Sequence, residues 1–139
     1  NAYQKTNIST ASQGRLVVLL YEGAIKQLSL AVGLFEPDGK LKAKNIEKFG
    51  ICLQKTQAII TELEVSLDME KGGDIARNLM SLYLFFNEEL VNASINHNKE
   101  QILSVLKMLS DLAESWRQIA SSTANAPAAK IPNALNIQG

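Results

Sequence analysis

Few side chains in this sequence could carry out chemistry. The single histidine, His97, has Ser94 three positions before it, so the Glu-x-x-His pair of a di-iron bundle site is missing and too few metal ligands are present. A phosphotransfer bundle needs an exposed histidine within a helix, whereas His97 lies between two asparagines at a predicted turn. We therefore expect a solvated loop histidine and no metal site, with a regulatory or phosphotransfer bundle as the alternative function.

The other reactive groups give no catalytic arrangement. Cys52 lies beside Leu53 in an apolar stretch with no histidine to activate it, which favours a buried, inert thiol. The glycines of "KGGD", 71–74, follow no strand and precede no Lys-Ser/Thr pair, so they indicate a turn and not a phosphate loop. Paired acids such as Glu88 and Glu89 have no companion nucleophile. The sequence predicts a protein that is not an enzyme and has no cofactor.

The composition is that of one soluble domain. The chain has 139 residues and 14 basic against 14 acidic side chains, so it lacks the positive excess on which non-specific nucleic-acid binding depends. One cysteine permits no internal disulfide and fits a reducing compartment. The polar N-terminus has no signal-peptide pattern, and the longest apolar run is far shorter than the roughly 20 residues that span a bilayer. We expect a cytoplasmic protein without stable membrane insertion.

Four segments have helical periodicity, at about 12–35, 41–67, from 74 to the "NHN" of 96–98, and from the capping box of Asn98 and Gln101 onward. Short connections make neighbouring helices antiparallel, which predicts an all-α, up-down-up-down four-helix bundle over 1–120. An N-terminal arm, 1–11, and a mobile tail, 121–139, flank it. The predicted core stripes are Val17, Leu20, Ala24, Leu28, Ala31 and Phe35; Ile46, Phe49, Leu53, Thr56, Ile60, Leu63 and Leu67; Ile75, Leu79, Leu82, Phe86, Leu90 and Ala93; and Ile102, Val105, Leu109, Leu112, Trp116 and Ile119.

The first helix has more apolar residues than its core stripe needs. Six consecutive residues from Leu16 to Tyr21 are apolar or aromatic, and at 100° per residue they point in every direction, although a bundle helix needs about three apolar positions in seven. "LYLFF", 82–86, has a similar surplus. The arm residues Tyr3 and Ile8 could cover part of this surface. Alternatively, it forms a groove for amphipathic segments of another chain, and the arm covers that groove until the partner displaces it.

Five segments, in order, resemble the flagellar export chaperone family (FliS). They are "TAS-x-x-x-L" at 10–16, "LYEGAI" at 20–25, "IITEL" at 59–63, "GGDIARNLMSLY" at 72–83 and a closing Trp116. Gln13 and Gly14 depart from the Pro and Glu that are usual in the family, which should weaken the first turn.

The resemblance implies a cytoplasmic chaperone that binds the disordered C-terminal segment of flagellin, prevents premature polymerisation and presents the subunit to a component of the flagellar export gate. A chaperone for another secreted subunit is a further alternative. From side-chain type and helical position we expect the client to contact apolar residues, tyrosines and amides. These are Leu19, Tyr21, Ile25, Gln54, Gln57, Ile59, Leu63, Asn78, Tyr83, Phe86 and Asn87.

Overall fold

The computed structural model describes residues 10–125, with the side chains of 13–122, and all regular structure in this range is helical. The four long helices are α1 (Thr10–Gly33), α2 (Ile46–Ser66), α3 (Gly73–Asn96) and α4 (Lys99–Asn125). A 3-10 helix, Ala43–Asn45, leads directly into α2. The described part of the chain is therefore all-α, as predicted.

Residues that favour turns separate α2, α3 and α4. Gly73 has a φ of 52°, in the left-handed region that favours glycine. Gly72 is needed for space, because a Cβ there would lie 2.6 Å from the Cβ of Ala76 and 2.8 Å from the carbonyl oxygen of Asp68. The side chain of Asn98 accepts a hydrogen bond from the backbone N–H of Gln101 at 3.1 Å, which is the predicted N-cap of α4.

Contacts between helix ends show that the helices are antiparallel. Gly14, near the start of α1, lies beside Ala120, near the end of α4. The ring of Phe49, in the first turn of α2, contacts the ring of His97, which caps the end of α3. The helices pack in the cyclic order α1–α2–α3–α4, with α4 returning to α1, so the predicted four-helix bundle is confirmed.

The core contains one buried stripe from each helix. Thr56 is the buried polar residue among the described side chains, and its hydroxyl donates to the carbonyl oxygen of Cys52 at 2.8 Å. On α1 and α3, Tyr21 and Tyr83 are buried, whereas the predicted Leu20 and Leu82 are only partly buried. The other predicted stripe members that are not fully buried are Ile46, Leu67, Ile75 and Trp116.

The helix bounds differ from the predicted ones mainly at the chain ends. Helix α1 already begins at Thr10, inside the predicted arm, and α4 continues to Asn125, inside the predicted tail. The segment predicted as one helix over 41–67 is an irregular start, a 3-10 turn and α2. Tyr3, Ile8 and residues 126–139 lie outside the described residues.

By length and composition, Gln13–Gly33 of α1 is apolar enough to cross a membrane. This property was not predicted from the sequence, because polar residues interrupt the apolar runs of the segment. In the structure, this helix has Tyr21, Ala24 and Leu28 fully buried in the bundle core. In this bundle, the apolar residues of Gln13–Gly33 therefore belong to a helix that packs against α2 and α4.

Candidate binding surface

Large apolar side chains are exposed on three of the four helices. Helix α4 has none among its described residues, and its outer face is polar. Helices α1, α2 and α3 and the α2–α3 connection all have them. The exposed residues are Leu19, Leu30, Ile46, Ile51, Val65, Met69, Leu84, Phe85, Val91 and Ile95.

The first apolar surface is the groove between α1 and α2, which we call the α1–α2 groove. It contains an open cleft of about 300 Å³. Leu30 is 51% exposed and Ile51 is 43% exposed, so much of the apolar lining of this cleft faces solvent. The cleft is lined by Gln27, Leu30, Leu34, Lys48, Ile51, Cys52 and Lys55.

Close helix packing forms the floor of this groove. A Cβ at Gly23 would lie 3.3 Å from the Cδ1 of Ile59, so the Gly23 flank of α1 faces α2. Leu19 precedes Gly23 by four residues and Leu30 follows it by seven, which places both on the same flank. The groove therefore extends along α1 from Leu19, which is 62% exposed, to the cleft.

The second apolar surface is a stripe on α3, which we call the α3 stripe and define as Leu84, Val91 and Ile95. Asn87 of α3 donates from its Nδ2 to the Oε2 of Glu64 on α2 at 3.2 Å, so this flank of α3 faces α2. Leu84 lies three residues before Asn87, and Val91 and Ile95 lie four and eight residues after it. At these helical spacings all three are on the same flank as Asn87. Helix α2 therefore lies between two exposed apolar surfaces.

The strongest polar contact in the core joins two of the predicted site residues. The hydroxyls of Tyr21 and Tyr83 share a hydrogen bond of 2.5 Å, and both side chains are buried. Burial raises the pKa of Tyr21 to about 12, partly offset by its hydrogen bond with Tyr83. Burial also raises the pKa of Tyr83, and the neighbouring Tyr21 raises it further. Both phenols are therefore neutral core groups.

The placement of four predicted site residues on an open surface is wrong. Tyr21, Leu63, Tyr83 and Phe86 are at most 1% exposed and belong to the core, so they do not line an open groove. The helices that bear them are apolar on several sides, and burial selects one side only after the helices pack. For Leu63 and Phe86 the predicted core stripes were correct and the predicted client contact was not, whereas the burial of Tyr21 and Tyr83 was not predicted.

The remaining predicted site residues are spread over the bundle. Leu19 and Ile59 lie in the α1–α2 groove. Gln54 is exposed and Gln57 half-buried on α2. Asn87 is half-buried on the flank of α3 that faces α2, and its Oδ1 is buried without a hydrogen-bond partner in the described structure.

Two predicted residues lie away from both apolar surfaces. Ile25 follows Glu22 by three residues on α1, and Glu22 pairs with Arg117 of α4 at 3.4 Å, so this flank of α1 faces α4. The exposed Asn78 lies on the flank of α3 opposite the stripe, because nine residues of helix separate it from Asn87. The predicted site residues therefore lie on several faces of the bundle.

Sequence analysis did not select the residues that best combine apolar character with exposure. The α3 stripe was missed, and so was the importance of Leu30 and Ile51. The available signal was their position: each lies on the side of its helix away from the core stripe, at helical spacing. That signal requires the stripe to be correctly placed first. The predicted stripe is one residue off at one position on α1, where Tyr21 is buried, and at two positions on α3, where Ala76 and Tyr83 are buried.

The two reactive side chains differ from their predicted settings. Cys52 is half-buried beside the cleft, so the prediction of a fully buried thiol is wrong. His97 lies at a helix end, as predicted, but it is not a solvated loop residue. It is half-buried, has a left-handed backbone with φ 51°, and packs edge-to-face against Phe49 with ring centroids 5.6 Å apart. This is not the exposed position within a helix that phosphotransfer requires.

Within the described part of the chain, no cluster of three or more His, Cys, Asp or Glu side chains could hold a metal ion. The five ion pairs found there lie at exposed or half-exposed positions, where such pairs contribute little to stability. The arrangement is suited to binding an apolar partner.

Comparison with known proteins gives a consistent result. The model of the family described as flagellar protein FliS matches residues 1–123. The flagellar secretion chaperone FliS of Salmonella typhimurium is 37% identical over 114 residues, which cover 81% of this chain and 80% of that protein. The flagellar secretion chaperone FliS of Campylobacter jejuni is 30% identical, and the match covers 86% of this chain and 88% of that protein. That of Vibrio cholerae is 31% identical over 94% of both chains.

Proposed function

Because the chain belongs to the FliS family of flagellar secretion chaperones, we propose that its client is flagellin, bound through the C-terminal segment of that subunit. The family assignment makes the protein a flagellar export chaperone and not an enzyme. The proposal concerns the finer points, namely which secreted subunit binds, where it binds and what binding achieves.

The observation that supports the proposal best is the position of α2 between two exposed apolar surfaces. The α1–α2 groove lies on one side of α2 and the α3 stripe on the other. A client that forms two short amphipathic helices joined by an extended stretch can place one helix on each surface. This arrangement uses Leu19, Leu30 and Ile51 in the groove and Leu84, Val91 and Ile95 on the stripe.

The energetic balance favours such a client. Complete burial of a large aliphatic side chain contributes about 1.5–3 kcal/mol, and the half-exposed residues here contribute part of that amount each. Six such residues, together with the client's own apolar side chains and helical hydrogen bonds, act against the chain entropy that a disordered segment loses on binding. A client held in this way cannot pair its apolar segments with other copies of itself, which prevents premature polymerisation.

The place of action follows from this function. A chaperone that keeps a newly made subunit unpolymerised acts in the cytoplasm and delivers its client to a component of the flagellar export gate. The bundle domain, 1–120, performs the binding, and the arm with Tyr3 and Ile8 covers the α1–α2 groove until the client arrives. Deletion of residues 1–9, which precede α1, should then tighten client binding, whereas unchanged affinity would count against a covering arm.

Calorimetric titration with a peptide of the C-terminal segment of flagellin tests the proposal. We expect binding at micromolar concentrations, and we expect the double variant Leu30→Ser/Ile51→Ser to bind at least tenfold more weakly because the apolar lining of the cleft is lost. The melting temperature should hardly change, since both side chains are already exposed.

Met69→Ser is the matched control. Met69 is 40% exposed, but it lies in the connection between α2 and α3, outside both apolar surfaces. Its substitution should leave the affinity unchanged. Absence of binding heat at micromolar peptide would refute flagellin as the client. An equal loss of affinity in the Met69→Ser control would refute the assigned surface.

A further inference from the structure

The cleft in the α1–α2 groove combines apolar walls with positive charge. Its charged lining residues are Lys48 and Lys55, and its described lining includes no carboxylate. Both lysine side chains are exposed. Neither ammonium group has an ion-pair partner among the residues that the structure describes. The two charges are therefore available to a ligand in the cleft.

The lysines stand at a defined spacing on α2. Lys48, Ile51 and Lys55 follow one another at three and four residues, so they share one flank of the helix. At a rise of 1.5 Å per residue, the two lysine Cα atoms are about 10 Å apart along the helix axis, with Ile51 between them. A helix that lies along the groove meets a positive charge, an apolar side chain and a second positive charge in turn.

We infer that the α1–α2 groove selects a client helix that has acidic residues on both sides of an apolar residue. The inference rests on the proposed function, that this groove receives a client segment. The matching pattern is an acid, an apolar residue three or four positions later, and a second acid seven positions after the first. The apolar side chain fills the cleft against Leu30 and Ile51, and each carboxylate lies beside one lysine.

The second surface carries the opposite charge, which strengthens the assignment. On α3, Glu88 lies on the exposed flank between two stripe residues. It follows Leu84 by four residues and precedes Val91 by three. Glu88 has no ion-pair partner within the described residues. An acidic client helix is attracted to the α1–α2 groove and repelled by the α3 stripe, so charge assigns each client helix to its surface.

Two synthetic peptides test this inference with the full-length protein. Both form the same amphipathic helix with one central leucine, and they carry either glutamate or lysine at the two positions seven residues apart. Fluorescence anisotropy gives their affinities at low salt. We expect the glutamate peptide to bind about tenfold more tightly than the lysine peptide, and the difference to shrink as salt is added.

Charge reversal supplies the decisive comparison. The variant Lys48→Glu/Lys55→Glu should prefer the lysine peptide. The variant Lys71→Glu/Lys107→Glu changes the net charge equally at exposed sites outside the groove, and it should behave like the unchanged protein. Equal binding of both peptides, binding of neither, or the same change in both variants would overturn the inference.

The flagellin peptide separates this inference from the proposed function. If it binds the unchanged protein and the Lys48→Glu/Lys55→Glu variant equally well, flagellin remains the client and charge selection at the groove is wrong. If it binds neither while the glutamate peptide still shows its preference, the charge selection stands and flagellin is the wrong client.

Discussion

The phenolic oxygens of Tyr21 and Tyr83 lie 2.5 Å apart in the core and join α1 to α3, which occupy opposite corners of the bundle. The main helix–helix contacts join neighbours in the cyclic order, whereas this hydrogen bond spans the diagonal. It also gives each buried hydroxyl a partner. The pair is therefore satisfied only when these sides of α1 and α3 face inward.

Removal of one hydroxyl should cost more than removal of both. Tyr21→Phe leaves the Tyr83 hydroxyl buried without its partner, and we expect a loss of about 1–3 kcal/mol in the free energy of unfolding. Tyr21→Phe/Tyr83→Phe removes both polar groups, so its free energy of unfolding should be closer to that of the unchanged protein. Urea denaturation of the three proteins measures this. Additive losses would show that the hydrogen bond is not the source of the effect.

The same pair predicts a loss of stability in alkaline solution. The folded pKa of Tyr21 is about 12, above its usual 10, so the folded state keeps a proton that the unfolded state releases. The stabilisation is complete below pH 10 and declines as the pH rises toward 12, by up to about 1.4 kcal/mol per pH unit for each such phenol. Chemical denaturation between pH 9 and 11.5 measures the slope. Tyr21→Phe/Tyr83→Phe should show a shallower decline, and identical slopes would contradict the assignment to these phenols.

Two leucines that were both predicted as client contacts should respond differently to the same substitution. Leu63 is fully buried, so Leu63→Ala should cost about 2–5 kcal/mol of unfolding free energy. Leu19 is 62% exposed, so Leu19→Ala should change it by less than about 0.5 kcal/mol. Thermal unfolding checks both variants. Similar losses in the two would refute the assignment of Leu63 to the core and Leu19 to the groove.

Two glycines should respond in opposite directions. Gly72→Ala places a Cβ against Ala76 and the carbonyl of Asp68, so we expect a loss of about 1–3 kcal/mol. Gly50 lies inside α2 and has no atom within 4 Å of the position of its would-be Cβ, so Gly50→Ala should add about 0.5–1 kcal/mol through helix propensity. Equal effects in denaturant titrations would show that space at Gly72 is not limiting.

The sequence predicted the bundle well where the apolar pattern was unambiguous. On α4, charged and polar residues fill the outer face, and Ile102, Val105, Leu109 and Leu112 are all buried as predicted. The turn at 72–73 and the cap at Asn98 were also predictable, because glycine and asparagine have specific backbone roles there. Local chemistry was sufficient for these features.

The candidate site was less predictable for a physical reason. Helices that bind a partner are apolar on more than one side, so their periodicity is compatible with several orientations. On α1 the stripe could include Leu20 or Tyr21, and on α3 Leu82 or Tyr83; packing selected the tyrosines. At each of these positions the buried tyrosine follows the predicted leucine by one residue, which is about 100° around the helix axis. The surplus of apolar residues could be predicted from the sequence, and its direction could not.

The polar outer face of α4 has a colloidal consequence. If the client binds the groove and the stripe as proposed, the polar outer face of α4 is the part of the bundle that remains exposed in the complex. Without a client, the protein exposes the apolar residues of both the α1–α2 groove and the α3 stripe. Binding of the proposed client should therefore raise the solubility of the protein.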